Sequence, residues 1–157
     1  MTSVEPGVLD ANVLAYAANA DALQHEASSA LLEAAGDPAI ALYVTSQILC
    51  EFYSIVTNPR RVAAACSSRE ALNIVSAMLA LPGLHVLPTP SDAVAGWMRL
   101  LERRPVTGAN VFDLQIVATM QANGIQRIYT FNTADFAVFP ELSVLTPAPK
   151  GGPVSRQ

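Results

Sequence analysis

Four acidic residues sit in apolar company where an ordinary surface carboxylate would not be expected. Asp10 lies in Val8-Leu9-Asp10-Ala11-Asn12-Val13-Leu14, and Glu51 in Ile48-Leu49-Cys50-Glu51-Phe52-Tyr53. Asp113 lies in Val111-Phe112-Asp113-Leu114-Gln115-Ile116-Val117, and Asp135 in Ala134-Asp135-Phe136-Ala137-Val138-Phe139. An ionised carboxylate near a core is costly unless it is paired or binds a metal. Local basic partners are too few, and the only lysine is Lys150, near the C-terminus. Carboxylates gathered without a cation raise one another's pKa, and a divalent ion removes that conflict. Mg2+ and Mn2+ prefer oxygen ligands and keep several waters, so a few Asp and Glu side chains suffice. Such an ion suits phosphodiester hydrolysis: it orients a phosphate, activates water and stabilises a leaving oxygen.

Each acid also has a plain structural role available. Asp10 follows a strand and precedes a helix, so it is a candidate N-cap. Glu51 shares a thin polar stripe with Gln47, Ser54 and Asn58, which suits a solvated helix face as well as a helix lining a cleft. Asp113 shares a face with Ile116, Val117 and Met120, pointing it to the core side, and it stands three residues after a candidate cap, Asn110. Asp135 falls in Asn132-Thr133-Ala134-Asp135, which fits an Asx turn or a short capped helix. The remaining acids, such as Asp21, Glu33 and Glu102, belong to loops or polar helix faces.

The elements that must position these residues alternate. Short strands are expected at Val8-Leu9, Ile40 to Val44, His85 to Leu87, Arg127 to Phe131 and Ser143 to Leu145. Helices are expected from Ala11, from about Ala22 to Ala35, from Gln47 to about Thr57 behind a Thr45-Ser46 cap, and from a Ser67–Glu70 capping box to about Leu81. Two more run from Ser91 to Arg104 and from an Asn110 cap to about Asn123-Gly124. Apolar strands alternating with helices predict an α/β fold: a parallel-stranded central sheet flanked by helices on both faces. In such sheets ligands bind beyond the carboxyl ends of the strands, where Asp10, Asp113 and Asp135 fall.

The 157 residues suit one domain, assigned to 1–147, with 148–157 as a flexible tail. Charged residues make up 14% of the chain, against roughly 25% in an average soluble domain. So bare a surface predicts apolar patches and a partner, a homodimer among the options. Nine basic residues against 13 acidic exclude a globally basic nucleic-acid binder. Local basic patches remain, Arg60-Arg61 and Arg99, Arg103 and Arg104 being candidate phosphate contacts. No signal peptide and no bilayer-spanning run is read, so a reducing cytoplasm is expected. His25 and His85 lack zinc-ligand spacing. Cys50 is expected to be a buried thiol, Cys66 a loop residue, and Trp97 and Met98 core or interface residues.

The ordered series Leu9-Asp10-Ala11-Asn12-Val13-Leu14, Cys50-Glu51-Phe52 with Thr57-Asn58-Pro59-Arg60, Phe112-Asp113-Leu114-Gln115-Ile116-Val117-Ala118-Thr119 and Thr130-Phe131-Asn132-Thr133-Ala134-Asp135-Phe136 resembles a PIN-domain ribonuclease. Within that group it is most similar to the VapC toxins of type II toxin–antitoxin modules. The resemblance covers Val8 to about Pro147 and implies a PIN-like three-layer α/β/α fold and an Mg2+- or Mn2+-dependent endoribonuclease. It places Asp10, Glu51 and Asp113 as the first three metal-binding catalytic acids; the fourth place falls either where Asn132 stands or at Asp135, with Asp135 preferred and Asn132 then a neighbouring contact. It implies supporting roles for Asn12 and Thr130. It further implies an RNA substrate such as tRNA or ribosomal RNA, cut to a 5′-phosphate and a 3′-hydroxyl, a cognate antitoxin and a homodimer. Two other readings compete. A phosphatase or receiver-like use of Asp10 lacks the second acid at position 12 and a late lysine after a core strand. A non-catalytic PIN-like module binding RNA or a protein would keep the acids for stability.

Overall fold

The computed structural model describes residues 4–150 and the backbone of 155–156. Five parallel strands form the sheet: β1 (Gly7–Leu9), β2 (Leu42–Thr45), β3 (Leu84–Leu87), β4 (Arg127–Tyr129) and β5 (Ser143–Thr146). Their spatial order is β3-β2-β1-β4-β5, and Ser155–Arg156 add a two-residue antiparallel strand, β6, beside β5. The other tail residues, 151–154 and 157, lie outside the described residues, and the flexible-tail expectation rests largely on them.

Helices α1 (Ala11–Ala17), α2 (His25–Ala34), α3 (Ser46–Val56) and α4 (Ser68–Leu79) form one packed group. Helices α5 (Ala93–Arg103) and α6 (Val111–Ala122) pack on each other, and a short α7 (Thr133–Ala137) follows β4. This is the three-layer α/β/α arrangement expected of alternating apolar strands and helices.

Local chemistry sets the boundaries. Thr45 Oγ1 accepts from Ile48 N at 3.1 Å and opens α3. The Ser67–Glu70 capping box closes on both sides, opening α4. Gly124 adopts φ +70 just past α6, a left-handed turn that glycine makes without strain. Several expected boundaries shift: β2 is Leu42–Thr45 rather than Ile40 to Val44, β4 stops at Tyr129 rather than Phe131, and α5 starts at Ala93 rather than Ser91. Ala22 to Gln24 form turns, so α2 starts at His25. Asn110 does not cap α6 with its side chain; it ends a 3-10 turn, Gly108–Asn110, launched by Gly108 at φ +58.

The core runs through the sheet. Val8, Leu9, Leu42, Val44 and Ile128 are solvent-free, and Phe52, Leu14 and Val117 close on them from the helices. Helix α6 is buried nearly all round, from Leu114 to Met120. Its first turn is therefore the part where a polar side chain can reach an opening. On α3 the buried stripe is Ile48, Phe52 and Val56, at four-residue spacing. That stripe turns Cys50 outward, so the thiol expected to be buried is exposed.

Candidate active site

Strand β1 lies mid-sheet, with β2 on one side and β4 on the other. The chain leaves β1 toward β2 and leaves β4 toward β5, so the connections diverge beyond the carboxyl ends of β1 and β4. Such a switch point leaves a crevice. Asp10 stands there, directly after β1.

Asp10 is only 6% exposed. Its Oδ1 accepts from Ala11 N at 2.8 Å, which makes it the N-cap of α1. Its Oδ2 accepts from Thr130 Oγ1 at 2.8 Å and from Asn12 Nδ2 at 3.3 Å. The capping role is therefore real and occupies one oxygen, while the other is held across the crevice. Burial pushes the Asp10 carboxyl above its ordinary range, the Thr130 and Ala11 hydrogen bonds pull it back, and the charge of Asp135 pushes it up again.

Thr130 is fully buried at the end of β4. While donating to Asp10, its hydroxyl accepts from Asn132 N at 3.0 Å and from Asn12 Nδ2 at 3.3 Å. Asn12 completes the clasp by accepting from Phe131 N at 3.3 Å. Asn12 and Thr130 thus fix one carboxylate through groups 118 residues apart in the chain. Asn132 is exposed at the start of α7, and its side chain does not cap that helix.

Glu51 is half-buried on α3. Gln47 Nε2, one turn earlier, donates to Glu51 Oε1 at 2.8 Å and to the Phe112 carbonyl at 2.9 Å. Gln47 therefore ties the Glu51 carboxylate to the first turn of α6, beside Asp113. The polar stripe on α3 lines the cleft through Gln47 and Glu51. Sequence reasoning saw Gln47 only as part of that stripe; its bond to the Phe112 carbonyl is tertiary. Burial raises the Glu51 carboxyl, Gln47 opposes this, and Asp10 adds to it.

Asp113 brings the set together. Burial raises its carboxyl, and so do the charges of Asp135, Asp10 and Glu51 in that order, to about 6. Asp135, exposed on α7, contributes charge to both Asp113 and Asp10. Asp113 therefore feels the charge of each of the other three. The ion pairs among the described residues, Arg127–Glu5 at 2.9 Å and Lys150–Glu33 at 3.9 Å, leave them without a cation. The four form an open grouping: no three of His, Cys, Asp or Glu among the described residues stand close enough to cage an ion by themselves.

Replacing Gln47 by Ala should free Glu51 to rotate. Residues that orient metal-binding carboxylates are typically worth 10–100-fold, so cleavage activity should fall by about tenfold with the fold intact. Steady-state cleavage assays alongside thermal melting check this, and unchanged activity would remove Gln47 from the site.

The PIN-domain family model matches residues 7–142, and the chain belongs to the PIN-domain family. Among its relatives, Ribonuclease VapC24 of Mycobacterium tuberculosis is 26% identical over 145 residues, 92% of this chain and 98% of the relative. The fold is shared with M. tuberculosis VapC20, described as a Sarcin-Ricin loop cleaving toxin, at TM-score 0.63 and 22% identity over 84% of this chain and 94% of that one. It is shared too with VapBC2 of Rickettsia felis, bound to a DNA fragment from its promoter, at TM-score 0.65 and 18% identity over 91% and 99%.

Proposed function

We propose that this protein is a metal-dependent endoribonuclease of the VapC type, the toxin of a toxin–antitoxin module. The observation that carries the reading is the convergence of Asp10, Glu51, Asp113 and Asp135 on one crevice without a basic partner. The similarity to a named ribonuclease over nearly the whole of both chains supports it. The donor set fits a hard divalent cation, since every candidate ligand is a carboxylate oxygen and the mutual repulsion is what a cation relieves.

Asp10, Glu51, Asp113 and Asp135 would hold Mg2+ or Mn2+, and Asn132 stands beside them at the start of α7. When bound, such an ion supplies Lewis-acid stabilisation of charge on the phosphate and lowers the pKa of water. The chain's own part is positioning. Asn12 and Thr130 hold the Asp10 carboxylate in one orientation, and Gln47 does so for Glu51. The closed core behind Asp10 leaves the open side of the crevice for the RNA backbone.

Purified protein with Mg2+ or Mn2+ should cut total RNA internally, leaving 5′-phosphate ends, and a chelator should stop it. RNA left whole with either ion would overturn the reading.

Exposed Arg60 and Arg61 follow α3, with Arg60 N bonded to Asn58 Oδ1 at 3.0 Å. As phosphate contacts on single-stranded RNA, each would add about 0.7 to the slope of log affinity against log salt. The Arg60→Ala/Arg61→Ala protein should bind RNA more weakly and with a shallower slope, as titrations at several salt concentrations would show; an unchanged slope would assign the pair to solubility.

The partner reading extends to an antitoxin and a second copy of the chain. Val94, Met98 and Phe112 are each about half exposed, as are Leu72 and Val86, and this is the apolar surface expected of a chain with so few charges. No helix among the described residues is long and apolar enough to cross a membrane.

A further inference from the structure

Two aromatic rings flank the clasp that holds Asp10. Asn12 and Tyr16 are four residues apart on α1 and so share a face. Asn12 points into the site, where it reaches Asp10 and Thr130. Tyr16 therefore stands one turn along the same wall. Phe131 directly follows Thr130, and its backbone N–H is held by Asn12. The two rings meet edge to face, with centroids 5.2 Å apart and planes at 87°.

Both rings are half-buried. Phe131 is backed by the core. The backbone that carries Tyr16 is tied down as well: its carbonyl accepts from His25 Nδ1 at 3.0 Å, which joins the end of α1 to the start of α2. A ring on a fixed backbone and already against Phe131 loses little freedom when something stacks on it. An edge-to-face pair also leaves at least one face of each ring uncovered by its partner.

We propose that Tyr16, supported by Phe131, is a stacking platform for an unpaired nucleobase next to the phosphate being cut. Bases within a duplex are stacked on each other and cannot use such a platform, whereas bases splayed from loops stack readily on aromatic side chains. The substrate class that follows is RNA with an unstacked nucleotide at the cleavage position. This rests on the ribonuclease reading for its substrate but concerns recognition, and the two are separable.

The test uses a short single-stranded RNA carrying 2-aminopurine, whose fluorescence is quenched on stacking, together with cleavage of a hairpin and a fully paired duplex. The native protein should quench the probe even with a chelator present, and with Mg2+ or Mn2+ it should cut the loop of the hairpin in preference to the duplex. Tyr16→Leu, which keeps apolar bulk but removes the π face, should lose the quench and bind single strands roughly 5- to 100-fold more weakly. Its loss should appear mainly in KM, and Tyr16→Phe should restore both quench and KM. Tyr16→Leu quenching and cutting like the native protein would overturn the platform and leave the nuclease standing. Quenching by the native protein without cleavage in any metal would uphold the platform and sink the nuclease. An absence of both would sink the two together, and a Tyr16→Phe protein as weak as Tyr16→Leu would show that the hydroxyl rather than the ring face is used, overturning the platform.

Discussion

RNA cleavage by the Asp113→Asn protein should fall by about 10³-fold with the fold unchanged. Asn keeps the size of the side chain and one carbonyl oxygen but removes the charge. Asp113 is the acid that feels the other three, so its loss takes away the group most closely shared by the set. Stabilisation of charge by a bound cation is worth several kcal/mol, and about 1.4 kcal/mol is tenfold in rate. Asp10→Ala should lose as much activity and, because Asp10 also caps α1, should cost about 1 kcal/mol of stability as well. Product formation by each variant at saturating Mn2+, set beside its circular dichroism spectrum, checks this. Full activity in Asp113→Asn would end the proposed mechanism.

The same substitution should make the metal-free protein more stable at neutral pH. In the unfolded chain Asp113 ionises near 3.8, and in the folded protein near 6. Between these values the folded state holds the proton more tightly, so stability falls as pH rises through that window, and the whole penalty remains above it. Asp113 is only half-buried, so solvent screening reduces the penalty to about 1 kcal/mol. Asp113→Asn should therefore melt roughly 2–4 °C higher than the native protein at pH 7.5 without metal. The gain should vanish below about pH 4, where the native carboxyl is protonated in both states. Added Mn2+ reverses the order. At a hundredfold excess over its Kd, a ligand that binds only the folded state contributes about 2.7 kcal/mol, which should raise the native melting temperature by roughly 5–10 °C. Asp113→Asn should lose most of that response. Equal melting curves for the two proteins at pH 7.5, with and without Mn2+, would show that the acids do not share an ion.

Much of this was legible in the sequence because it is local. The Ser67–Glu70 box, the Thr45 cap and the Asn123-Gly124 stop are each written in a few adjacent residues. The apolar strands and the acid that follows β1 were visible for the same reason. What escaped was of two kinds. Gln47 appeared in sequence only as part of a polar stripe, and its bond to the Phe112 carbonyl joins residues 65 apart. Cys50, by contrast, was misjudged although the signal was present: Ile48, Phe52 and Val56 mark the buried stripe, and position 50 lies off it. Asn110 has the right residue type for a cap, but the turn launched by Gly108 gives it helical backbone angles that leave its side chain unused.

The clasp between Asp10 and Thr130 spans 120 residues, and this bears on when the protein can first act. Strand β1 leaves the ribosome well before its neighbour β4. A stalled or truncated product ending before Arg127 has neither the hydroxyl that steadies Asp10 nor the fourth acid. On the proposed site, chains that stop there should therefore leave RNA uncut.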